Sequence, residues 1–200
     1  MKKVDMNKKS KESSLLNTAF EFFTTKGFSK TSVTDIASKA GVGKGTFYLY
    51  FKDKYDIRNR LIAKKSEQVL TIAAYALTQQ KAPMSFEDKC IFLVDNIINQ
   101  LDDNHSLLNF ISKNLSWGVF MAALSGPAET DMTFNEAYLQ LLSESEKPIR
   151  DPELLLFMIV ELISSTCYSA ILYKEPCDLD KLKTELYPTI RDIIRRFTVD

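Results

Sequence analysis

Residues 31–54 constrain the fold more than any other stretch of this 200-residue chain. Ile36 and Ala37 form a short apolar helix face, and Gly41 follows where a tight turn between two helices needs a residue that tolerates a positive φ angle. Phe47 supplies an apolar contact from the next segment. The spacing therefore predicts two short helices that pack together across a glycine turn.

The second of these helices mixes small, basic, hydroxyl and phenolic side chains. They are Gly43, Lys44, Gly45, Thr46, Tyr48 and Tyr50. A lysine and free amides at a helix start suit a phosphate, and glycine lets the backbone approach it closely. We therefore expect this helix to lie against DNA, with Lys44 and the amides of Gly45 and Thr46 facing a phosphate.

Two positions outside this helix are expected to add phosphate contacts. Thr34 faces outward at the start of the first short helix, and Lys54 opens the helix that follows. A surface threonine and a solvated lysine are the ordinary alternatives for these residues. A packed core tyrosine is the alternative for Tyr48.

The first 55 or so residues resemble the helix-turn-helix domain of TetR-family transcriptional regulators. The matching positions are Leu15, Leu16, Ala19, Phe22, Phe23, Gly27, Phe28, Thr31, Ser32, Val33, Asp35, Ile36, Ala37, Gly41, Val42, Lys44, Gly45, Thr46, Phe47, Tyr48, Tyr50, Phe51, Lys52, Asp53 and Lys54. The resemblance implies a helix-turn-helix at about 32–51. It also implies that Tyr48 and Tyr50 both lie on the DNA side, although residues two apart on a helix point about 200° from each other.

Helical periodicity and the absence of sustained period-2 alternation predict an all-α fold. We expect about nine helices, at 10–26, 31–39, 44–50, 53–80, 86–101, 106–124, 134–141, 153–173 and 179–197. Pro188 predicts a kink or a local break in the last of them. The resemblance divides the chain into an N-terminal three-helix DNA-binding domain, 1–55, and a C-terminal effector-binding and dimerisation domain, 56–200.

Charge is distributed unevenly along a chain whose formal net charge is zero. Residues 1–65 contain 15 Lys and Arg against 6 Asp and Glu, a net of +9, whereas residues 66–200 contain 11 against 20, a net of −9. A basic head on an acidic body is typical of a protein that binds DNA through the head. The alternative is one solvated face that is rich in lysine.

Catalytic and metal-binding patterns are scarce. His105 is the only histidine, Cys90, Cys167 and Cys177 lack metal-like spacing, and neither a P-loop nor a dinucleotide fingerprint occurs. We expect no enzyme activity, metal or cofactor, and reduced thiols in a cytoplasmic protein. The apolar stretch 154–173 has bilayer length, but Glu161 in its middle favours a central bundle helix over a membrane span.

The predicted body helices carry more aromatic and sulfur-containing side chains than thin helices need for mutual packing. These candidates are Tyr75, Phe92, Phe110, Trp117, Phe120, Met121, Phe134 and Tyr138. In a body that resembles TetR regulators, such residues would line an effector cavity, and Trp117 with Met121 is the preferred pair. The alternative for any one of them is an ordinary packed core.

The last two helices are expected to pair with their copies in a two-fold four-helix bundle. The interface candidates are Leu156, Ile163, Ile171, Leu186, Ile190 and Ile194. The resemblance then implies a homodimeric repressor that a small apolar or aromatic effector releases from palindromic double-stranded operator DNA. The alternatives are an activator of the same fold, and a helical small-molecule carrier or enzyme.

Overall fold

The computed structural model describes residues 2–112, 116–124 and 134–199, and every regular element within them is a helix. The helices are α1 Lys2–Thr25, α2 Val33–Lys39, α3 Lys44–Tyr50, α4 Lys54–Thr78, α5 Phe86–Asp102, α6 His105–Ser112, α7 Trp117–Leu124, α8 Phe134–Ser143, α9 Pro152–Tyr173 and α10 Leu179–Phe197. The all-α prediction is confirmed.

Two compact units make up the chain, residues 1–65 and residues 66–200. The division falls inside α4 and coincides with the change from net +9 to net −9 in the sequence. The basic residues therefore concentrate in one folded unit and the acidic residues in the other.

The first unit is built around side chains that solvent scarcely reaches. Leu15, Ala19, Ile36, Ala37, Phe47, Phe51, Ile57, Leu61 and Ile62 are each at most 2% exposed. Phe47 and Phe51 share a face at i and i+4, and their burial makes this the core face of α3. The apolar contacts of α1 and α4 thus hold α2 and α3 in place.

Local hydrogen bonds determine where α2 begins. The Ser32 hydroxyl accepts from the amide of Asp35 at 3.1 Å, and the Asp35 carboxylate accepts from the amide of Ser32 at 2.9 Å. These two bonds form a capping box, which satisfies amides that a helix start leaves without partners. Hydrogen bonds from the Ser32 side chain and backbone also hold the pKa of Asp35 below its usual value.

In the second unit, one face of α9 supplies the centre of the core. Leu155, Ile159, Ile163, Cys167 and Ile171 are buried there with apolar side chains of α5, α6 and α10. By length and composition α9 is the one helix in the described residues that could cross a membrane, with a mean hydropathy of 1.9. Only 28% of that apolar window is buried within the chain.

A ladder of polar side chains fastens α10 to α5. Lys183 donates to the carboxylate of Asp95 at 2.7 Å and to Asn99 at 2.6 Å, and the hydroxyl of Tyr187 donates to the same carboxylate. One turn further on, Arg191 donates to Asp88 at 2.6 Å. A further turn along, Arg195 binds Glu87 through two bonds of 3.0 Å.

Two predicted elements differ from the structure. The single helix expected at 106–124 is described as two, α6 and α7, and residues 113–115 lie outside the described residues. Of the two outcomes predicted at Pro188, a kink or a local break, the break does not occur, since α10 continues through this exposed residue. The ladder holds α10 to α5 on both sides of the proline and compensates for the hydrogen bond that its missing N–H removes.

The expected interface stripe on the last two helices is a core stripe. Ile163, Ile171, Leu186, Ile190 and Ile194 are buried against their own chain, with Ile190 at 0% exposure. Leu156 is half-buried beside a second apolar cluster that contains Leu70, Ala74, Phe120 and Phe134. The five buried side chains retain almost no surface to offer a partner.

We expect the Asp95 cluster to make stability depend on pH. Burial opposes ionisation of Asp95, but hydrogen bonds from Lys183 and Tyr187 outweigh it and lower the pKa below the usual 3.8. The folded state therefore favours the carboxylate, and the contribution is present above pH 3.8 and lost as pH falls through the lower folded pKa. Asp95→Asn should reduce the unfolding free energy at pH 7 by about 1 kcal/mol, because the pair is partly solvated.

Urea unfolding at pH 7 and at a pH below 3.8 measures this effect. The difference between wild type and Asp95→Asn should shrink in acid. Asp192→Asn is the control, because Asp192 forms only an exposed pair with Arg195 and should change stability little. A difference that is equal at both pH values would contradict the assignment.

Candidate nucleic-acid interface and ligand cavity

A four-residue connection sets the relation between α2 and α3. Gly41 adopts φ +72°, in the left-handed region, and the amide of Val42 donates to the carbonyl of Ala37 at 3.0 Å. The prediction that Gly41 needs a positive φ is confirmed. A side chain at this position would be strained whatever space surrounds it.

The start of α3 lacks the side-chain cap that other helices of the chain have. Its N-cap residue, Gly43, has no side-chain hydrogen bond to offer, whereas Ser32, Ser85, Asp151 and Asp178 cap α2, α5, α9 and α10. The first amides of α3 belong to Lys44 and Gly45, both of which are exposed. The amide of Thr46, which was also expected to face a phosphate, instead donates to the carbonyl of Gly43 at 2.9 Å. Uncapped amides at a helix start are suited to an anion that comes from outside the fold.

Neither Gly43 nor Gly45 is required by the fold. Both have ordinary negative φ angles, and an added Cβ at either position would meet no atom within 4 Å. Gly45 lies within α3, where glycine costs roughly 0.8–1 kcal/mol relative to alanine. Internal packing therefore does not explain why these two positions are glycine. Close approach of another molecule's backbone to the main chain of α3 would explain it.

The side chains of α3 divide into a buried face and an exposed face. Phe47 is fully buried, whereas Tyr48 is 51% exposed and packs edge-on against the Phe47 ring at 5.5 Å. Thr46 and Tyr50 are half-buried. On α2, Thr34 is exposed.

Leu49 is a surface residue that the sequence analysis missed. It is 80% exposed, the highest value among the exposed large apolar side chains of the described residues. Its position two residues after Phe47 places it about 200° from the core face, which is a signal that the sequence contained. An apolar side chain on such a helix can contact the methyl group of thymine.

Lys54 has internal partners. Its ammonium donates to the carbonyls of Phe28 at 2.8 Å and Thr31 at 2.9 Å, and it lies 4.3 Å from the centre of the Phe28 ring. The amides of Tyr55 and Asp56 donate to the Asp53 carboxylate at 2.8 Å. The groups expected to clamp a phosphate at the start of α4 thus already bind within the chain.

Two adjoining cavities lie within the second unit. The first, which we call the chamber, has a volume of about 80 Å³ and mainly apolar walls that include Leu70, Leu108 and Ile163. The second, the vestibule, has about 110 Å³ and a mainly polar lining that includes Ser116 and Glu161. A larger surface groove of about 510 Å³ lies elsewhere, between the end of α4, the start of α5 and α8.

Comparison with known proteins adds to this geometry. The family model described as "Bacterial regulatory proteins, tetR family" matches residues 15–61. The HTH-type transcriptional regulator YvdT of Bacillus subtilis is 36% identical over 86 residues, which are 43% of this chain and 41% of that protein. The first unit of the chain is therefore similar to the corresponding part of TetR-family regulators.

Solved structures of TetR-family proteins share the fold over nearly the whole chain. A regulator from Streptomyces coelicolor superposes with a TM-score of 0.67 at 16% identity, covering 94% of this chain and 99% of that one. FadR from Bacillus subtilis, solved in complex with stearoyl-CoA, superposes with a TM-score of 0.60 at 20% identity. The match covers 89% of this chain and 96% of that one. At these identities the likeness concerns the fold, and the chain spans only about two fifths of the length of YvdT.

The eight predicted effector residues fall into two groups in the structure. Phe120 lines both cavities and Trp117 lines the vestibule, where the two rings stack at 5.3 Å. Met121, Phe134 and Tyr138 pack in the apolar cluster around Phe120.

The other three candidates lie in different environments. Phe110 is buried, Phe92 is half-buried, and Tyr75 is 67% exposed on α4. The exposure of Tyr75 leaves it as a surface side chain rather than part of a cavity wall. The sequence prediction, based on aromatic and sulfur-containing residues, did not include the hydroxyl-bearing and acidic residues that line the two cavities, such as Ser66 and Glu161.

Lys54→Ala should destabilise the first unit, because the carbonyl of Thr31 loses the Lys54 ammonium and the carbonyl of Phe28 keeps only the amide of Thr31. We expect the unfolding free energy to fall by about 1–2 kcal/mol. Lys44→Ala is the matched control and should leave stability unchanged, since Lys44 is exposed. Thermal or urea unfolding of both variants measures the effect, and equal stability of the two would show that the Lys54 bonds contribute nothing.

Proposed function

We propose that this protein is a cytoplasmic, homodimeric transcriptional regulator that binds palindromic double-stranded operator DNA through α3. The observation that carries the proposal is the exposed surface of α3, which combines uncapped amides, Lys44 and two glycines that the fold does not need. A phosphate backbone satisfies all three features, because it is an anion that must come close to the main chain.

The charge of the first unit supports the same partner. Residues 1–65 carry a net charge of +9, which attracts a polyanion and gives binding that weakens as salt rises. Thr34, Gly43, Lys44, Gly45, Thr46, Tyr48 and Tyr50 remain our proposed DNA contacts, and Leu49 joins them. Lys54 remains a proposed contact only through its third N–H, since two carbonyls take the others.

Lys44→Ala and Leu49→Ala should weaken DNA binding in different ways. Loss of Lys44 should lower affinity for all sequences and flatten the salt dependence by about one unit of log–log slope. Loss of Leu49 should leave the slope unchanged and reduce the preference for operator over unrelated DNA, because an apolar contact to a thymine methyl carries sequence information.

Fluorescence anisotropy with operator and scrambled duplexes at several salt concentrations separates these effects. The operator is sought first in the DNA beside the protein's own gene, as an inverted repeat. Lys30→Ala serves as the control for Lys44, because Lys30 is also exposed but lies outside α3. An unchanged salt slope in Lys44→Ala would remove the proposed phosphate contact.

We further propose that the protein is a repressor whose operator complex is dissociated by a small apolar or aromatic effector. The cavities of the second unit support this step, since a chamber with largely apolar walls suits such a guest. FadR of Bacillus subtilis, whose fold is similar, was solved in complex with stearoyl-CoA, a ligand with a long acyl chain, which supports this proposal. A reporter gene with the operator over or upstream of its promoter distinguishes a repressor from an activator.

The proposed coupling runs through α4. Ile57, Leu61 and Ile62 of this helix are buried in the first unit, and Ser66, Val69 and Leu70 line the chamber. An effector that changes DNA affinity by some factor must itself bind DNA-bound protein more weakly by the same factor. Effector titrations with and without operator check this equality.

The outward face of α9 supports the proposed homodimer. Leu154 and Met158 lie one turn apart and are 44% and 39% exposed, on a helix that the chain itself buries only in part. A two-fold contact would cover this apolar surface. These residues replace the buried stripe as our proposed interface.

Leu154→Glu with Met158→Glu should therefore yield folded monomers. Both side chains are exposed in the protomer, so that charge should not disturb its core, whereas two buried carboxylates facing their copies would oppose association. Leu139→Glu, at a 56% exposed position of α8, is the control that keeps the dimer. Sedimentation velocity at micromolar concentration measures the oligomeric state of all three proteins. A monomeric wild type would refute the proposed homodimer.

A further inference from the structure

The chamber and the vestibule share part of their walls. Ser112, Phe120, Val160 and Ser164 line both cavities. A ligand that lies along Phe120 and Val160 would therefore contact the walls of both the chamber and the vestibule. The two lining sets differ in character, which defines what each end of such a ligand must carry.

Ser66 marks the chamber end. This residue on α4 is 5% exposed, and its Oγ is the buried side-chain oxygen or nitrogen in the described residues that lacks a hydrogen-bond partner. A buried hydroxyl without a partner costs about 1–3 kcal/mol. Because Ser66 lines an otherwise apolar chamber, a polar atom of a guest would remove this cost.

The remaining polar groups of the chamber are neutral. Burial raises the pKa of the Cys167 thiol to about 11, so that it is uncharged at neutral pH. Ser112 and Ser164 add hydroxyl groups. The chamber therefore suits an uncharged ring with one hydrogen-bonding substituent.

Glu161 marks the vestibule end. It lines the vestibule together with Ser116 and Ser165, and it supplies the negative charge of that lining. Trp117 lies in the same wall, with its ring 5.0 Å from Phe157 in an edge-on arrangement. A carboxylate beside aromatic rings favours a cation, which gains from both the charge and the π face.

We propose that the chamber and the vestibule together bind a small aromatic amine, with its ring along the shared wall at Phe120 and Val160, a ring hydroxyl at Ser66 and its ammonium group at Glu161. The proposal rests on the proposed function in making this amine the effector of the regulator. A cavity of about 150 Å³ holds benzene. The chamber, about 80 Å³, and the vestibule, about 110 Å³, reach that size only together, so that a single ring with a short arm would occupy both. A long acyl chain would need a much larger space.

Four related compounds test the two ends separately. Tyramine carries both the ring hydroxyl and the ammonium group, phenethylamine lacks the hydroxyl, tyrosol replaces the ammonium with a neutral hydroxyl, and 3-(4-hydroxyphenyl)propionate carries a carboxylate instead. Trp117 is the only tryptophan of the chain, so that its fluorescence reports binding at the vestibule directly. We expect tyramine to bind most tightly and the propionate least tightly.

Two substitutions assign the ends. Ser66→Ala should weaken tyramine and tyrosol about 3- to 10-fold and leave phenethylamine unchanged, because only the first two lose a hydrogen bond. Glu161→Gln should weaken both amines about 3- to 5-fold and leave tyrosol unchanged. Glu153→Gln, exposed two turns earlier on α9, is the control for Glu161.

Melting temperature separates binding from packing. Ser66→Ala removes a hydroxyl without a partner and should not lower the melting temperature. If the Ser66 hydroxyl stabilised the fold, the same substitution would lower it. The exposed Glu161 provides a second variant that does not touch the core.

The outcomes distinguish this inference from the proposed function. Equal binding of all four compounds, unchanged selectivity in both variants, or binding of stearoyl-CoA without binding of any amine would overturn the amine site. Selective tyramine binding that leaves the operator complex intact would support the site and refute its role as the switch of a regulator. If the ligand-free wild type did not bind operator DNA, the proposed regulator function would be refuted, whereas the proposed amine site would stand.

Discussion

Burial of one face of α9 is the interaction on which the second unit depends. Leu155, Ile159, Ile163 and Cys167 contribute successive turns of this face, and α5, α6 and α10 cover it. The same helix carries Glu161 and Ser164 toward the cavities and exposes Leu154 at its start. Core, proposed ligand site and proposed interface thus occupy different sides of one helix, so that a change in its rotation would alter all three.

In the first unit, folding and recognition use different atoms. Phe47 anchors α3 through complete burial, and Gly41 supplies the turn geometry that only a residue at ease with positive φ provides. Gly43, Gly45 and Lys44 contribute nothing comparable to the interior. The scaffold can therefore remain constant while the exposed face of α3, the proposed DNA-binding surface, varies.

The sequence was sufficient where structure depends on neighbours along the chain. The capping pair Ser32 and Asp35, the turn at Gly41 and the i, i+4 pair Phe47 and Phe51 act over a few residues, so that α2, α3 and their core face could be predicted. Helical periodicity along the rest of the chain extended this to the all-α class. The boundaries of α9 and α10 also followed closely from local periodicity.

Prediction failed where the partner lies far away in sequence. Lys54 binds the carbonyls of Phe28 and Thr31, which precede it by 26 and 23 positions. No local sequence pattern predicts contacts over such separations. The apolar stripe with Ile190 and Ile194 showed that α10 buries a face but not which chain covers it. Ser66 could not be distinguished from other serines, because its importance arises from the hydrogen bond that it lacks.

The independence of the fold from Gly43 and Gly45 has a genetic consequence in the proposed homodimer. A substitution at either glycine would yield a subunit that folds, persists in the cell and still associates through α9, but carries a head unable to approach DNA. Mixed dimers would then hold one competent and one incompetent head. Such alleles would be dominant over the normal gene copy, whereas core alleles at Phe47 would remove the subunit and be recessive.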